Sequence, residues 1–228
     1  MEKYNYRKDP HQDIDHVFRD LLPAHGMVER PAQVELSHQM LDAMLNGSIA
    51  LCDAGTGIGK TYAYLVAGVV FRRYRSRAGL PNQPLLISTS SIALQGAIIH
   101  DYLPFLSKVM MADGMLDSPL RAVLRKGKSH YVCDARLMKR LQTANLDRKN
   151  PLAKAALLSM RDHLDLDMAP HLSGYDRERI CVPPTCDCGK TECRYLCYLD
   201  VCASERYAIQ VCNHNLLLAD AIHRGSGK

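Results

Sequence analysis

Apolar residues recur at helical spacing over two long stretches in the first half of the chain. Between Pro31 and Asn46 they fall three or four residues apart, which predicts a helix with one buried face. Asn46 and Gly47 tolerate left-handed backbone, so we expect the helix to end there. Residues 61–75 are apolar on nearly all sides, which predicts a helix enclosed within a domain. Residues 1–25 show no clear period, and we expect a mixed N-terminal extension.

Short apolar runs predict strands between these helices. The runs are 49–52, 85–89, 122–124 and 207–212, and a further helix is expected over 92–101, stopped near Pro104. Strands that alternate with helices along a chain form parallel sheets with crossover helices. The pattern therefore predicts an α/β fold built on a parallel sheet.

The segment from residue 126 to residue 206 differs from the rest of the chain. Asn150 and Pro151 predict a helix start, with Asn as the N-cap and Pro at the first helical position, and the helix is expected to reach about residue 164. Seven of the nine cysteines lie between Cys133 and Cys202. So many thiols in one insert argue against free core cysteines.

Composition narrows the chemistry of these thiols. Hydrophobic residues make up 47% of the chain and charged residues 23%, as in ordinary globular proteins. No apolar run approaches the roughly eighteen residues that cross a bilayer, and residues 1–10 are too polar for a secretory signal. We therefore expect a cytoplasmic protein with no membrane partner. A reducing cytosol favours metal ligation or free thiols over disulfides.

The net charge of +5 permits nucleic-acid binding without arguing for it. Basic residues cluster over 72–77 and over 121–128. The first cluster fits a solvated helix face as well as it fits a binding patch.

A glycine-rich loop follows the first predicted strand and opens the next helix. Glycines let the backbone turn several N–H groups toward one anion, and the positive end of the helix adds to the attraction. Lys60 would contact the β- and γ-phosphates of ATP, and the Thr61 hydroxyl would bind Mg2+. The strict pattern begins with Gly where this chain has Ala54. The expected phosphate-binding residues are Ala54, Gly55, Thr56, Gly57, Ile58, Gly59, Lys60 and Thr61.

Hydrolysis of ATP needs more than this loop. A P-loop ATPase holds Mg2+ and polarises water with an acidic residue on a second strand. No Asp-Glu dipeptide occurs anywhere in the chain. The sequence therefore predicts nucleotide binding and assigns no complete set of catalytic residues.

Several segments in this order resemble the DinG/XPD-like iron–sulfur DNA helicases of superfamily two. The resemblance covers about residues 27–220, with Asp53 where the family usually has Glu. Its motifs are 30–33, 53–61, 88–95, 101–104, 126–133 and 213–217.

The resemblance implies the N-terminal part of an ATP-dependent 5′–3′ helicase in DNA repair or replication. The Asp-Glu-Ala-His box and the second motor half would lie outside this chain, as possible partners in a complete enzyme. The implied domains are an extension over 1–26, an incomplete RecA-like P-loop domain over 27–125, a mostly helical iron–sulfur domain over 126–206, and a return to the motor domain over 207–228. Two alternatives stay open, namely a non-enzymatic nucleotide- or single-stranded-DNA-binding module and a zinc-binding P-loop protein.

The family also implies individual roles. Gln33 would read the adenine base, and the basic run near residue 125 would line the path of single-stranded DNA. Tyr131 could stack on a base, although a packing role fits equally well. The implied DNA-binding residues are Thr89, Gln95, Arg125, Lys126, Lys128 and Tyr131.

A 4Fe-4S cluster in this family takes four thiolates. The implied ligands are Cys133, Cys188, Cys193 and Cys197, although Cys197 follows Cys193 more closely than the family spacing. Cys186 or Cys202 could replace one of them, and Cys181 is a weaker option. Zinc, which also accepts four thiolates, is the alternative metal. Cys52 and Cys212 lie on predicted strands and are expected to be small core residues.

Overall fold

The computed structural model describes residues 9–143, 151–186, 188 and 193–225. The chain divides into two compact units. One unit extends to Leu124 and resumes over Glu205–His214, and the other covers Arg125–Ser204 and resumes at Asn215. That these units are a RecA-like motor domain and an iron–sulfur domain stays a prediction.

The first unit begins with helical segments that pack into its core. They are α1 (Pro10–His16), a π-helical turn (Val17–Leu21) and α2 (Leu22–Ala24). The mixed extension expected over residues 1–25 is helical from Pro10 to Ala24, and residues 1–8 lie outside the described residues. Although the hydrophobic pattern of this stretch is weak, four of its apolar side chains fall at helical spacing and are buried. They are Ile14, Val17, Phe18 and Leu22.

Two long helices form the body of this unit. Helix α3 spans Pro31–Asn46 and ends at Gly47, whose φ of 61° is left-handed, so both predicted ends of α3 are confirmed. Helix α4 spans Lys60–Arg77 and is buried on all sides over residues 65–70, so the predicted enclosed helix is confirmed. The hydroxyl of Ser37 on α3 donates to the Ala63 carbonyl on α4 at 3.0 Å, which ties the two helices together.

The strand expected over residues 49–52 does not form. The side chains of Ile49 and Leu51 are 93% and 97% exposed, and Cys52 is exposed as well, so the expectation of a buried strand and a core thiol is wrong here. An apolar run can be buried as a strand only where neighbouring strands cover it. Within the residues that the structure describes, none pairs with this run.

Three short strands form the sheet, in the order β1–β3–β2. They are β1 (Leu85–Ser88), β2 (Ala122–Arg125) and β3 (Ile209–Cys212). Strands β1 and β3 run parallel, in a register that pairs the first residue of each strand and the last of each. Every residue of β3 is buried, Cys212 included, as expected for that thiol. The predicted α/β fold with a small parallel sheet is thus confirmed.

The chain crosses from β1 to β2 through one continuous helical segment. It consists of α5 (Ile92–Ala97), a π-helical turn (Ile98–Tyr102) and α6 (Leu103–Ala112). The expected stop near Pro104 is wrong because Pro104 stands in the first turn of α6, where its missing N–H is tolerated.

The second unit is mostly helical in the described part. Its helices are α7 (Asp134–Thr143), α8 (Pro151–Ser159), α9 (Gly174–Ile180) and α10 (Arg194–Ala203), with 3-10 turns over Lys128–His130 and Leu166–Met168. Helix α11 (His214–Gly225) begins where β3 ends. Pro151 starts α8 as predicted, but α8 ends at Ser159, short of the expected residue 164; Asn150 lies outside the described residues.

Two isolated antiparallel bridges tie the core of the second unit together. They pair Tyr131 with Asp165 and Val132 with Cys181. The side chains of Val132, Leu157 and Ile180 are among the buried residues of its apolar cluster. Neither this unit nor the other contains, in its described residues, a helix with both the length and the apolar character needed to traverse a bilayer.

Candidate functional site

The glycine-rich loop between α3 and α4 has the backbone that its sequence predicts. Gly57 and Gly59 have φ values of 83° and 89°, in the left-handed region where side chains are strained. A Cβ atom at Gly59 would lie 2.1 Å from Nε2 of Gln33, whereas one at Gly57 would meet nothing within 4 Å. Gly59 is therefore required both by its backbone angle and by its close neighbour.

Lys60 closes over the loop that precedes it. Its Nζ donates to the carbonyl oxygens of Ala54 at 2.8 Å and Gly55 at 2.9 Å. Lys60 is the first residue of α4, so the positive end of an 18-residue helix points to the same place. Exposed N–H groups, an ammonium group and a helix terminus are together suited to bind an anion.

The segment expected to read adenine packs against this loop. Gln33 is 3% exposed, and its Nε2 donates to the Gly59 carbonyl at 2.6 Å. Arg30 donates to the Gly57 carbonyl at 2.5 Å. Both side chains thus hold the glycine turn, and the reading of adenine by Gln33 stays a prediction.

Polar residues gather where β1 and β3 end. The Ser88 hydroxyl and Nδ1 of His214 are 2.8 Å apart, and the Thr89 N–H donates to the Cys212 carbonyl at 3.0 Å. Gln95 is 7% exposed, and its amide donates to the Thr89 carbonyl at 2.9 Å. Gln95, which was expected to contact DNA, therefore positions Thr89 in this structure, because its amide is already engaged and buried.

A cavity of about 670 Å3 lies between the loop and the sheet. Lys60, Thr61 and Tyr64 line one side of it, and Leu85–Thr89 line another. Burial raises the pKa of the Tyr64 hydroxyl. Most of its lining is apolar, so this cavity is a poor phosphate site; the phosphate-binding features are those of the loop itself.

The basic run at the start of the second unit is engaged within that unit. The Lys126 ammonium contacts carboxylate oxygens of Asp165 at 2.6 Å and Asp167 at 2.7 Å. Burial alone would raise the pKa of Asp167, but hydrogen bonds from Lys126 and Arg177 outweigh it and hold that pKa well below its usual range. Lys128 donates to the Pro184 carbonyl at 2.5 Å.

The side chain of Tyr131 is buried within the second unit and is not available to a DNA base. It is 3% exposed, and its hydroxyl accepts the Lys126 N–H at 3.0 Å and lies 3.2 Å from the Tyr198 hydroxyl. The rings of Tyr195 and Tyr198 lie 5.2 Å and 5.1 Å from it. Base stacking by Tyr131 is therefore incompatible with this structure, and its alternative packing role is the one observed. The charge of Arg125 also acts inside this unit, since it opposes the rise that burial causes in the pKa of Cys202.

Four thiols of the second unit lie near one another. A hydrogen bond with Cys186 raises the pKa of the Cys188 thiol to about 11, and the charges of Cys186, Cys133 and Cys193 add to the rise. Three of the four expected ligands, together with Cys186, an expected substitute, therefore interact electrostatically. Among the described residues, however, no group of three or more His, Cys, Asp or Glu side chains is close enough to hold a metal ion.

The remaining cysteines have other surroundings. Cys197 stands one helical turn beyond Cys193, with its N–H donating to the Cys193 carbonyl at 3.0 Å. Cys202 is 1% exposed, and a hydrogen bond links it to Tyr198. The Cys181 thiol lies 3.8 Å from a guanidinium nitrogen of Arg136. Spacing alone could not separate Cys186 from Cys197, because the fold of the loop decides which thiol turns toward Cys188.

No protein-family model matches the chain, but individual relatives do. It is 31% identical to the 3′-5′ exonuclease DinG of Bacillus subtilis over 139 residues, which is 61% of this chain and 13% of that protein. It is 31% identical to the ATP-dependent DNA helicase YoaA of Haemophilus influenzae over 129 residues, 57% of this chain and 18% of that protein.

A third relative, the ATP-dependent helicase DinG of Mycobacterium tuberculosis, is 30% identical over 126 residues, 55% of this chain and 18% of that protein. The chain therefore spans less than a fifth of the length of these three relatives. Within those limits the expected resemblance is confirmed, and over about half its length the chain is a homologue of the DinG- and YoaA-type helicases.

Proposed function

We propose that this chain is the ATP- and single-stranded-DNA-binding N-terminal part of a DinG-type ATP-dependent DNA helicase. The observation that carries the proposal is the loop from Asp53 to Thr61, bent by two left-handed glycines and held by Gln33 and Arg30 at the start of α4. This arrangement occurs in a chain whose relatives include proteins named as ATP-dependent helicases.

In the proposed complex, the N–H groups of the loop and the Lys60 ammonium bind the phosphates. Lys60 exchanges its bonds to the Ala54 and Gly55 carbonyls for bonds to the β- and γ-phosphates. Thr61, the second residue of α4, provides a hydroxyl oxygen for Mg2+. The chain contains no Asp-Glu pair, so it binds ATP without turning it over.

Titration with a fluorescent ATP analogue tests the nucleotide site. Lys60→Ala removes a charged hydrogen bond worth about 1.5–3 kcal/mol, so affinity should fall by roughly ten- to a hundredfold. Lys108→Ala is the matched control, because Lys108 is an exposed lysine of α6 in the same unit. Equal affinity of the wild type and Lys60→Ala would refute the site, and DNA-stimulated ATP turnover by the chain would refute its catalytic incompleteness.

Thr89, Arg125 and Lys128 are the proposed contacts to the DNA backbone, with Gln95 positioning Thr89. Contacts between cations and phosphates make the affinity depend on salt. For single strands, the logarithm of the binding constant falls with the logarithm of the salt concentration with a slope of about −0.7 per phosphate. Lys128→Ala should reduce that slope, measured by fluorescence anisotropy of a labelled oligonucleotide. Lys154→Ala, an exposed lysine on α8 in the same unit, should not. An affinity that does not change with salt would contradict the proposed contacts.

We further propose that the neighbouring thiols hold a 4Fe-4S cluster, with zinc as the alternative metal. The donor set fits either, since both are bound by thiolates alone. Cys133, Cys188 and Cys193 provide three ligands, and Cys186 or Cys197 the fourth. When bound, the metal group cross-links segments distant in sequence and so stabilises the unit.

Iron, sulfide and zinc analysis of anaerobically purified protein tests this part. Iron with acid-labile sulfide and absorbance near 400 nm supports the cluster, whereas stoichiometric zinc without iron excludes it. Comparison of Cys186→Ser with Cys197→Ser identifies the fourth ligand, because only the ligand's loss should lower the metal content. Cys212→Ser is the control, since Cys212 is buried on β3 of the other unit.

A further inference from the structure

A second polar cavity lies in the first unit, away from the glycine-rich loop. It encloses about 330 Å3 and is lined by residues near the end of α4 and by residues that precede β1, β2 and β3. It therefore opens at the amino ends of the strands. Twelve residues of α4 separate Lys60 from Arg72, which at about 1.5 Å per residue places the two some 18 Å apart.

Arginines dominate the lining of this cavity. Four of them contribute to it, against the two carboxylates of Asp117 and Glu205. The four are Arg72, Arg73, Arg121 and Arg206. Two of these belong to the basic cluster over 72–77, which takes no part in the proposed nucleotide and DNA sites.

The fold holds Arg72, Arg73 and Arg121 in place before any ligand arrives. Arg73 donates to the Met115 carbonyl and pairs with Asp13, and its side chain is 12% exposed. Arg72 donates to the Gln83 carbonyl. The Arg121 guanidinium lies 5.9 Å from the centre of the Tyr207 ring.

A backbone hydrogen bond places the segment that contains Arg206 beside Arg121. The Arg121 carbonyl accepts the N–H of Ala208 at 2.8 Å, which holds the segment of Arg206 next to β2. Side chains ordered in advance lose little entropy when they bind a ligand.

The charges in the cavity are not balanced locally. In the part of the chain that the structure describes, no carboxylate lies within ion-pair distance of Arg72, Arg121 or Arg206. Burial lowers the pKa of Arg72, and the charge of Glu205 only partly opposes this effect. A partly buried guanidinium group without a carboxylate partner gains free energy from an anion.

The lining also contains an acceptor without a partner. Oδ1 of Asn82 is buried and receives no hydrogen bond from the described residues. A singly protonated phosphate or phosphate monoester carries both anionic oxygens for planar guanidinium groups and an O–H for this amide, whereas a phosphodiester provides the anionic oxygens alone. A carboxylate would provide no such donor.

We infer that this cavity is a binding site for a phosphate group, separate from the nucleotide loop, with Arg72, Arg73, Arg121 and Arg206 as its cations. The group belongs either to a small phosphorylated molecule or to a nucleic-acid strand. The volume accommodates one phosphate and a small substituent.

Equilibrium dialysis with radiolabelled orthophosphate tests the inference on the full chain carrying Lys60→Ala, which weakens phosphate binding at the loop. We expect saturable binding that Arg121→Gln and Arg206→Gln each weaken by about tenfold or more. Both residues are exposed, so their replacement should leave the melting temperature unchanged. Arg75→Gln is the matched control, because Arg75 belongs to the same basic cluster but bonds to the Pro81 carbonyl outside the cavity.

Competition distinguishes the two sources of the phosphate group. Displacement of orthophosphate by a single-stranded oligonucleotide assigns the site to strand phosphates, and displacement by a phosphate monoester alone assigns it to a small molecule. Absence of saturable binding in the Lys60→Ala chain, or equal binding by Arg121→Gln, Arg206→Gln and Arg75→Gln, would overturn the inference. Failure of nucleotide binding at the loop would leave this result unaffected.

Discussion

Replacement of Gly59 by alanine tests whether the loop is held from α3. The alanine would adopt a φ of 89°, which costs about 1–2 kcal/mol for a residue with a Cβ atom. Its Cβ would also lie 2.1 Å from Nε2 of Gln33, so that side chain must move. Moving Gln33 breaks its 2.6 Å bond to the Gly59 carbonyl and leaves buried polar groups unpaired, at about 1–3 kcal/mol. The expected loss is about 2–5 kcal/mol in all.

Gly57→Ala is the matched comparison. Gly57 has nearly the same backbone angle, 83°, but nothing lies within 4 Å of its Cβ position. It should therefore lose only the backbone contribution of about 1–2 kcal/mol. The free energy of unfolding, measured with urea for both variants, gives the contribution of the Gln33 contact by difference.

A double variant makes the test stricter. Gln33→Ala combined with Gly59→Ala should cost less than the two single changes added together, because the clash is absent once Gln33 is shortened. Equal losses for Gly57→Ala and Gly59→Ala, together with simple additivity in the double variant, would refute the proposed role of Gln33 in holding the loop.

Three further outcomes follow from contacts described above. Gly68→Ala should destabilise the first unit by about 1–3 kcal/mol through overpacking, since its Cβ would lie 2.2 Å from Cδ2 of Leu85; urea unfolding measures this, and an unchanged midpoint would contradict the packing. The carboxylate of Asp167, whose pKa is depressed in the folded state, stabilises the second unit above pH of about 4, and this stabilisation is lost as the pH falls further. The unfolding midpoint of Asp167→Asn should therefore change less between neutral and acid pH than that of the wild type. Ile49→Lys with Leu51→Lys should reduce self-association in light scattering, because both side chains are almost fully exposed, and equal association of variant and wild type would exclude this surface as its cause.

Local signals in the sequence were sufficient for several elements. Pro31 and Gly47 mark the ends of α3 because each acts through its own backbone geometry. The glycine-rich loop was equally predictable, since positive φ angles at Gly57 and Gly59 follow from residue type and spacing.

Other features depend on contacts between residues that only the folded structure brings together. The run over 49–52 has the composition of a buried strand, yet burial needs neighbouring strands, and its side chains are exposed. Gln95 and Tyr131 are residue types suited to DNA contact, but their actual neighbours, Thr89 and Tyr198, engage them inside the fold. The arginine cavity was missed because Arg72 and Arg121 are distant in sequence and only the packing of the first unit brings them to one cavity.

The bridge between Val132 and Cys181 has a consequence for the order of folding events. It joins two segments of the chain that are about fifty residues apart in sequence. Beside it, the Cys133 N–H donates to the Ile180 carbonyl at 2.7 Å. Closing so long a loop is slow compared with helix formation, because its entropy is lost before the contact is gained. Cys133 can approach the later cysteines only after this closure. We therefore expect maturation of the second unit in two stages, with chain collapse preceding the capture of any metal.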